Sequence, residues 1–206
     1  MPLFFYLPVK IFKVTIFLIS LIPLVLLIDD ACQDHLGVNP VEAIHFRLGD
    51  WALRFLCIGL SITPVKKIFH QFWVLHFRRM MGLFAFFYAS LHLFVYVILD
   101  LSLSWQNFID EAPDSPYIIL GLLTYLLLLP LALTSTRGMQ RYLGKRWVML
   151  HRLVYLAAIT AVAHYLWLVK SDVQEPLVYA VIIGFLLIIR LPFRKFHLVD
   201  LVWKNR

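Results

Sequence analysis

Three histidines lie inside long apolar stretches of this chain, where ionisable side chains are costly and mark candidate functional sites. His92, His151 and His164 are each flanked by aliphatic and aromatic residues. A neutral imidazole is a good metal ligand, and two imidazoles that face each other across a helical bundle can hold a haem iron from both sides. The alternative is that each histidine hydrogen-bonds a neighbouring helix. The other histidines fall in predicted loops or the tail and are expected to be solvated: His35, His45, His70, His76 and His197.

The spacing of these histidines predicts a site with two levels. His92 and His164 each lie one to two turns before the end of an apolar run, about 7 to 11 Å below the same surface if the two helices are parallel. This matching depth favours a haem that both residues ligate. His151 lies about 20 Å deeper, level with Arg78 on the other helix. On an ideal helix His151 points about 140° away from His164, which predicts different sides of the helix, a local irregularity or offset ring planes.

Arginines near the two levels are candidates for binding haem propionates. A guanidinium stays protonated, so it is a poor metal ligand, but it pairs well with carboxylates. We expect Arg78 and Arg79 to serve this role at the inner level. Arg54 is a candidate at the outer level, where the alternative is a side chain that extends to the membrane surface. Other possible ligands at the inner level are His76, Met80, Met81 and Met149.

Membrane helices must position these residues. Of the 206 residues, 62% are hydrophobic and 15% are charged, whereas soluble domains have about 25% charged residues. Apolar runs of about 17 to 25 residues cross the hydrocarbon core, and the loops between them are too short for a soluble domain. The sequence predicts an all-α integral membrane protein, a single domain over residues 1–206 with six transmembrane helices. The predicted spans are residues 11–28, 49–65, 80–99, 117–133, 147–169 and 176–191, with Pro64, Pro116, Pro130 and Pro176 marking helix ends.

Several kinds of redox site are excluded by the motifs that the sequence lacks. There is no GxGxxG or GxxxxGK[ST] pattern for nucleotide binding, no CxxCH for covalent haem and no CxxC for thiol chemistry. Cys32 and Cys57 fall in a loop and a span, so no disulfide is expected between them. Flavin or nicotinamide chemistry therefore requires a partner protein or a cofactor held among the helices.

The distribution of charge predicts the orientation of the chain. The formal net charge is +7, but the charges are sorted by loop. Placing successive loops on alternating sides puts most of the 19 Lys and Arg on one side and most of the 12 acids on the other. Since Lys and Arg are retained in the cytoplasm during insertion, both termini are predicted to be cytoplasmic. Attraction to anionic lipid headgroups is enough to explain the net positive charge, and no nucleic-acid partner is expected.

Several motifs together resemble a known family. They are ITP at 62–64, RRMMGLFAFFYASLHL around His92, LTSTRGMQRYLGKRWVMLHRLVYLAAITAVAHYLW around His151 and His164, and LGDWALRFL at 48–56. These motifs resemble the MsrQ (YedZ) family of haem-binding membrane subunits, which belongs to the wider group of ferric reductase and NADPH oxidase transmembrane domains. The resemblance covers nearly the whole chain.

The resemblance implies a b-type cytochrome of the bacterial inner membrane. It implies haem b, one or two per chain, ligated through His92, His151 and His164, and FMN as a further cofactor. Its implied partner is a periplasmic molybdopterin-containing methionine sulfoxide reductase, which receives electrons to repair oxidised envelope proteins. The implied donors are the quinone pool or a cytosolic flavin reductase. Arg78 stands where the wider oxidase family has a fourth histidine.

Two other functions are compatible with the same residues. A haem-dependent reductase of metal ions or oxygen would act on a small acceptor directly, although such reductases usually carry a fused flavin domain. A haem-free proton channel or transporter would use the histidines as relays, although such proteins tend to have paired helix breaks at mid-membrane. The acidic outer loops, residues 29–48 and 100–116, provide a docking surface for a basic partner or serve only for solvation.

Overall fold

The computed structural model describes residues 6–169 and 173–190, and within them the chain is helical with no strand. A 3₁₀ helix, Phe72–Phe77, precedes α3, and a π-helical turn, Tyr96–Asp100, follows it. The helices are α1 Tyr6–Cys32, α2 Pro40–Phe69, α3 Arg78–Val95, α4 Trp105–Glu111, α5 Pro116–Leu133, α6 Arg137–Leu143, α7 Lys145–Leu150, α8 Leu153–Leu168 and α9 Gln174–Ile188.

Four helical segments are long and apolar enough to cross a membrane: Val9–Cys32, Phe72–Asp100, Pro116–Leu133 and Lys145–Leu168. The helix α9 is apolar but shorter. Large apolar side chains remain exposed on the outside of the bundle, such as Ile11 and Val181 at 61% and 71%, a surface that suits lipid. The predicted spans 11–28, 49–65 and 117–133 lie within α1, α2 and α5, and the predicted span 80–99 covers α3 with the π-helical turn after it. The predicted span 147–169 is divided between α7 and α8 by a break at residues 151–152. The predicted span 176–191 overlaps α9, but Leu191 and the basic residues after it lie outside the described residues.

The helix α2 begins well before the predicted span at residue 49. Asn39 caps it: its side-chain oxygen accepts a hydrogen bond from the Glu42 backbone at 3.3 Å, and its amide donates to the Glu42 carboxylate at 2.9 Å. Pro40 occupies the first helical position, where no N–H is needed. The predicted loop 29–48 is therefore wrong: α1 continues to Cys32 and α2 starts at Pro40, so the connection is short. The predicted loop 100–116 likewise contains α4.

Two helical hairpins form the centre of the bundle. The helix α2 packs mainly against α3, and α5 packs mainly against α8. Tyr88 on α3 is fully buried, and its hydroxyl donates to the Ser20 carbonyl of α1 at 2.8 Å. Between α5 and α8, the Thr124 hydroxyl donates to the Thr160 hydroxyl at 2.8 Å. The two hairpins position α3 and α8, which carry the candidate ligands.

Two of the four prolines expected at helix ends lie inside helices instead. Pro64 is within α2 and Pro130 is within α5, whereas Pro116 begins α5 and Pro176 lies in the first turn of α9. A proline inside a helix removes the N–H that would bond the carbonyl one turn earlier. In α2 that carbonyl belongs to Leu60, and Arg190 donates a hydrogen bond to it instead. The carbonyl that the proline leaves without its helical partner is therefore bonded by a side chain from another helix.

Candidate functional site

His92 of α3 and His164 of α8 face each other between the two hairpins. Their ring centroids are 6.1 Å apart, and their planes are nearly perpendicular at 82°. Each side chain is half-buried. The structure thus brings together the two histidines that the sequence places at one depth.

Hydrogen bonds leave the same nitrogen of each ring available. The Nδ1 of His92 is 3.0 Å from the His45 carbonyl, and the Nδ1 of His164 is 2.7 Å from the Tyr117 carbonyl. A carbonyl only accepts, so Nδ1 carries the proton in both rings and Nε2 keeps its lone pair. This is the arrangement by which proteins orient histidine ligands toward a metal.

A glycine lies against each imidazole. A Cβ atom on Gly49 would be 3.3 Å from Cε1 of His92, and one on Gly121 would be 2.9 Å from Cε1 of His164. Any larger residue at Gly121 would collide with the ring unless the ring moved. The two glycines allow the imidazoles to lie directly on the neighbouring helices.

The two halves of the site repeat one pattern that the sequence analysis missed. His92 lies 47 residues after His45, and His164 lies 47 residues after Tyr117, the residues whose carbonyls they contact. In each half a glycine lies one turn after the carbonyl residue. Two turns before each histidine, Ala85 and Ala157 are buried at 1% and 0% exposure. The repeat involves only a few positions, so it does not stand out in the sequence. An offset search restricted to His, Gly and Ala would have found it.

His45 is a site residue that the sequence analysis assigned to a solvated loop. It lies in the first turns of α2, and its ring meets the His92 ring edge-on, with centroids 5.1 Å apart. Its Nε2 is 2.5 Å from a carboxylate oxygen of Asp100. Both its backbone and its side chain therefore support His92. The capping pattern Asn39-Pro40-x-Glu42 predicts a helix that begins before His45, and this signal could have identified it.

The His92–His164 pair fits haem better than a metal ion held by protein alone. Among the described residues, no group of three or more His, Cys, Asp or Glu side chains is placed to bind a metal. A site with two protein ligands suits a metal whose other ligands come from a macrocycle. His92 and His164, with ring centroids 6.1 Å apart and an unbonded Nε2 on each ring, are the residues that would hold such a group.

His151 occupies a different environment. It lies in the break between α7 and α8, so the helix is irregular at this residue. Its ring stacks on Trp147, with centroids 3.9 Å apart. Its Nε2 is 3.1 Å from the Thr134 hydroxyl, whose proton goes to the Pro130 carbonyl at 2.6 Å. Nε2 is therefore the donor, and Nδ1 keeps the lone pair, the reverse of the His92–His164 pair.

The three candidate arginines have different surroundings. Arg54 is paired with Asp50 at 2.5 Å, and its Nε donates to the Tyr179 hydroxyl at 3.2 Å. Its charge thus has a protein partner. Arg78 and Arg79 begin α3 and are exposed. Neither Arg78 nor Arg79 has a described side-chain hydrogen bond or ion pair, so their role at the inner level stays a prediction.

The alternative inner ligands are not brought to His151 as a group. His76 is exposed, and its Nδ1 is 2.9 Å from the Trp73 carbonyl. Met149 is 66% exposed, whereas Met81 is buried at 4% in the core beside α2. Met80 is partly buried against the same core. None of the four has a described hydrogen bond or ring contact with His151.

Comparisons with known proteins agree with these observations. The family described as "Ferric reductase like transmembrane component" matches residues 48–162, which contain both glycines, His92 and His151. No solved structure matches this chain.

Named relatives point to one branch of that family. A protein of Xanthomonas euvesicatoria, named protein-methionine-sulfoxide reductase heme-binding subunit MsrQ, is 50% identical over 75% of this chain and 71% of its own length. A protein of the same name from Rhodospirillum rubrum is 46% identical over 87% of this chain and 86% of its own length. With this identity and coverage, the chain belongs to the MsrQ family of ferric reductase-like membrane proteins.

Proposed function

We propose that this chain is a b-type cytochrome subunit that carries electrons across the bacterial inner membrane to a methionine sulfoxide reductase. The observation that carries the proposal is the pair His92 and His164, whose Nδ1 atoms are fixed by carbonyls and whose Nε2 atoms remain free. The relatives named as heme-binding subunits support the assignment of haem as the ligand.

His92 and His164 would hold one haem from both sides. When bound, haem supplies reversible one-electron transfer. With both histidines committed to the haem, the chain would carry electrons and would not bind the substrate. The carbonyls of His45 and Tyr117 keep both imidazoles oriented, and Gly49 and Gly121 let them lie close to the helices. A second haem at His151 is part of the proposal, with Arg78 and Arg79 as partners for propionates.

The route of the electrons follows from the family. We propose that they enter from the quinone pool or a cytosolic flavin reductase and leave at the periplasmic face. There a molybdopterin-containing protein-methionine-sulfoxide reductase would receive them and repair oxidised proteins. FMN is a further proposed cofactor. The direction rests on the proposed topology of six spans with both termini in the cytoplasm, which would put His92 and His164 near the periplasmic side.

The first test is the absorption spectrum of the purified protein. Dithionite reduction should give a sharp α-band, and His92→Ala or His164→Ala should abolish the band of the outer haem. His35→Ala is the matched control, because His35 is exposed near the same face. Gel filtration separates loss of haem from loss of folding. A normal band in both histidine variants would contradict the assignment, and an absent band in the wild type would favour a haem-free channel.

The second test distinguishes a conduit from a direct reductase. We expect slow reduction of ferric chelates by the isolated, reduced protein and fast reoxidation when the methionine sulfoxide reductase and its substrate are added. Rapid turnover of ferric chelates without the partner would instead identify a metal reductase. Counting haem and flavin per polypeptide in the same preparation tests the proposed cofactors.

A further inference from the structure

A groove runs between α1 and α2. One part is a cavity of about 450 Å³ near the end of the bundle that carries His92, and the other is a cavity of about 400 Å³ toward the 3₁₀ helix Phe72–Phe77. Ile19 of α1 and Trp51 of α2 line both cavities, so the two parts adjoin. The helix α1 packs against α2 less extensively than α3 does. We call the two cavities together the α1–α2 groove.

Side chains of both charges line the end of the groove beside Gly49. Arg47 of α2 is paired with Asp30 of α1, and Arg54 is paired with Asp50 at 2.5 Å. All four side chains line the cavity and remain between 20% and 46% exposed. A guanidinium has five N–H donors and a carboxylate has about four lone-pair sites, so these pairs use only part of the bonding capacity. This end of the groove can therefore bond a further group that carries both charges.

The rest of the groove is apolar. Its walls are mainly aliphatic and aromatic side chains, such as Ile16, Ile22 and Leu26 of α1 and Phe55 and Ile58 of α2. Trp51 lies between the charged and the apolar parts, and the Cζ atom of Arg54 is 4.8 Å from its ring centroid. Tryptophan is typical of the boundary between lipid headgroups and hydrocarbon. The groove thus changes from charged to apolar along its length, as a phospholipid does.

The length of the groove matches one leaflet of a bilayer. The groove extends along α1 from Asp30 to Ile16 and along α2 from Arg47 to Ile62. At 1.5 Å per residue, these segments are about 21 to 23 Å long. Half of a bilayer with its headgroups is about 20 to 22 Å thick. An acyl chain that follows the two helices fills the groove, whereas a compact ligand leaves much of it empty.

We propose that the α1–α2 groove binds a phospholipid with a phosphoethanolamine headgroup. The two arginines and two aspartates balance in charge, so they complement a zwitterionic headgroup better than an anionic one. The phosphate accepts hydrogen bonds from Arg47 and Arg54, and the ammonium donates to Asp30 and Asp50. A choline headgroup has no N–H donors for these carboxylates. One acyl chain lies between α1 and α2. The site is separate from the His92–His164 pair and does not depend on the proposed function.

The experiment measures lipid binding to the purified wild type and four variants by native mass spectrometry. Phosphatidylethanolamine, phosphatidylglycerol and phosphatidylcholine with the same acyl chains are titrated separately. Leu26→Trp fills the groove, and Val25→Trp is its control, because Val25 is similarly exposed on α1 but does not line the groove. Asp30→Asn removes a carboxylate from the charged end. Asp29→Asn is its control, because Asp29 is exposed and does not line the groove.

We expect the wild type to bind phosphatidylethanolamine about 10-fold more tightly than the other two lipids, because charge-assisted hydrogen bonds are the strong ones. Leu26→Trp and Asp30→Asn should each lose about 10-fold in affinity for this lipid, whereas both controls should keep it. Thermal unfolding gives a second measurement that does not depend on counting lipids. Phosphatidylethanolamine should raise the Tm of the wild type and of both controls, but not that of Leu26→Trp.

Two kinds of result would overturn the proposal. The first is equal affinity of the wild type for all three lipids, or wild-type affinity for phosphatidylethanolamine in both Leu26→Trp and Asp30→Asn. The second is a different occupant of the groove. A dimer that Leu26→Trp dissociates would identify a second copy of the chain, and a quinone that phosphatidylethanolamine does not displace would identify an uncharged ligand.

Discussion

At the scale of single residues, the site depends on how closely the backbone approaches the imidazoles. Gly121 lies against His164, and Gly49 lies against His92. A Cβ atom at either position would press on the imidazole ring. The cost of such overpacking is typically about 1–3 kcal/mol. Glycine at both positions therefore allows the two imidazoles to lie directly against the backbone of the neighbouring helices.

We expect Gly121→Ala to lower haem occupancy more than Gly49→Ala. The added Cβ would lie 2.9 Å from the ring at Gly121 and 3.3 Å at Gly49. The measurement is haem per polypeptide and the intensity of the α-band. Gly82→Ala is the control, because a Cβ there meets nothing within 4 Å. Equal occupancy in all three variants would contradict the proposed role of the glycines.

His45→Ala should keep the outer haem, in contrast to His92→Ala. The group that orients His92 is the backbone carbonyl of His45, which the substitution leaves in place. The variant loses the bond to Asp100, so we expect a stability loss of about 1 kcal/mol, measured by thermal unfolding in detergent. If His45→Ala abolished the α-band as His92→Ala does, the His45 side chain would have to be a ligand itself.

The sequence predicted the depth of His92 and His164 but not the groups that surround them. Depth follows from hydropathy and helical rise, which are properties of a single segment. The contacts of His45 and Gly49 with His92 depend on how α2 packs against α3. His45 was missed because Glu42, Arg47 and Asp50 lower the hydropathy where α2 begins.

At the scale of helices, two interruptions of the helical pattern lie beside side chains from other elements. Pro64 frees the Leu60 carbonyl, and Arg190 occupies it. Near His151 the helix breaks between α7 and α8, and Trp147 and Thr134 hold the imidazole there. The sequence allowed a local irregularity at His151 as one of three possibilities, since an ideal helix directs His151 away from His164.

The Pro64–Arg190 relation predicts a coupling between two substitutions. In Pro64→Ala, the restored N–H can bond the Leu60 carbonyl, so Arg190→Gln should destabilise this variant less than the wild type. We expect a coupling free energy of about 1 kcal/mol. It is measured by unfolding the four proteins of the double-mutant cycle in one detergent. Additive effects would show that the Arg190 bond contributes nothing to α2.

At the scale of the whole molecule, the sorting of charges predicts the orientation. We expect alkaline phosphatase to be active when fused in the connections 33–39 or 101–104, and inactive when fused in 134–144. Green fluorescent protein should fluoresce at the C-terminus, because it folds in the cytoplasm. An active phosphatase fusion within 134–144 would reverse the proposed direction of electron flow.

Helical class could be predicted from composition, whereas the count of six spans stays a prediction and the assembly of the hairpins could not be predicted. Hydropathy identifies helices one at a time, and it located α1, α3, α5 and α8 well. The pairing of α2 with α3 and of α5 with α8 is a property of two segments together, and buried small residues such as Ala85 and Ala157 have weak signals in a sequence. The repeated pattern became visible only when the carbonyl contacts of both histidines were known.

The repeat of carbonyl, glycine and histidine makes the outer end of the bundle two-fold symmetric in its chemistry. At the offset that relates the two hairpins, the counterpart of His151 is Arg79. The inner end is therefore asymmetric, with a histidine on one hairpin and arginines on the other. The two hairpins therefore differ more in their residue types at the inner end than at the outer pair, and a ligand bound between them there would meet a histidine on one side and an arginine on the other.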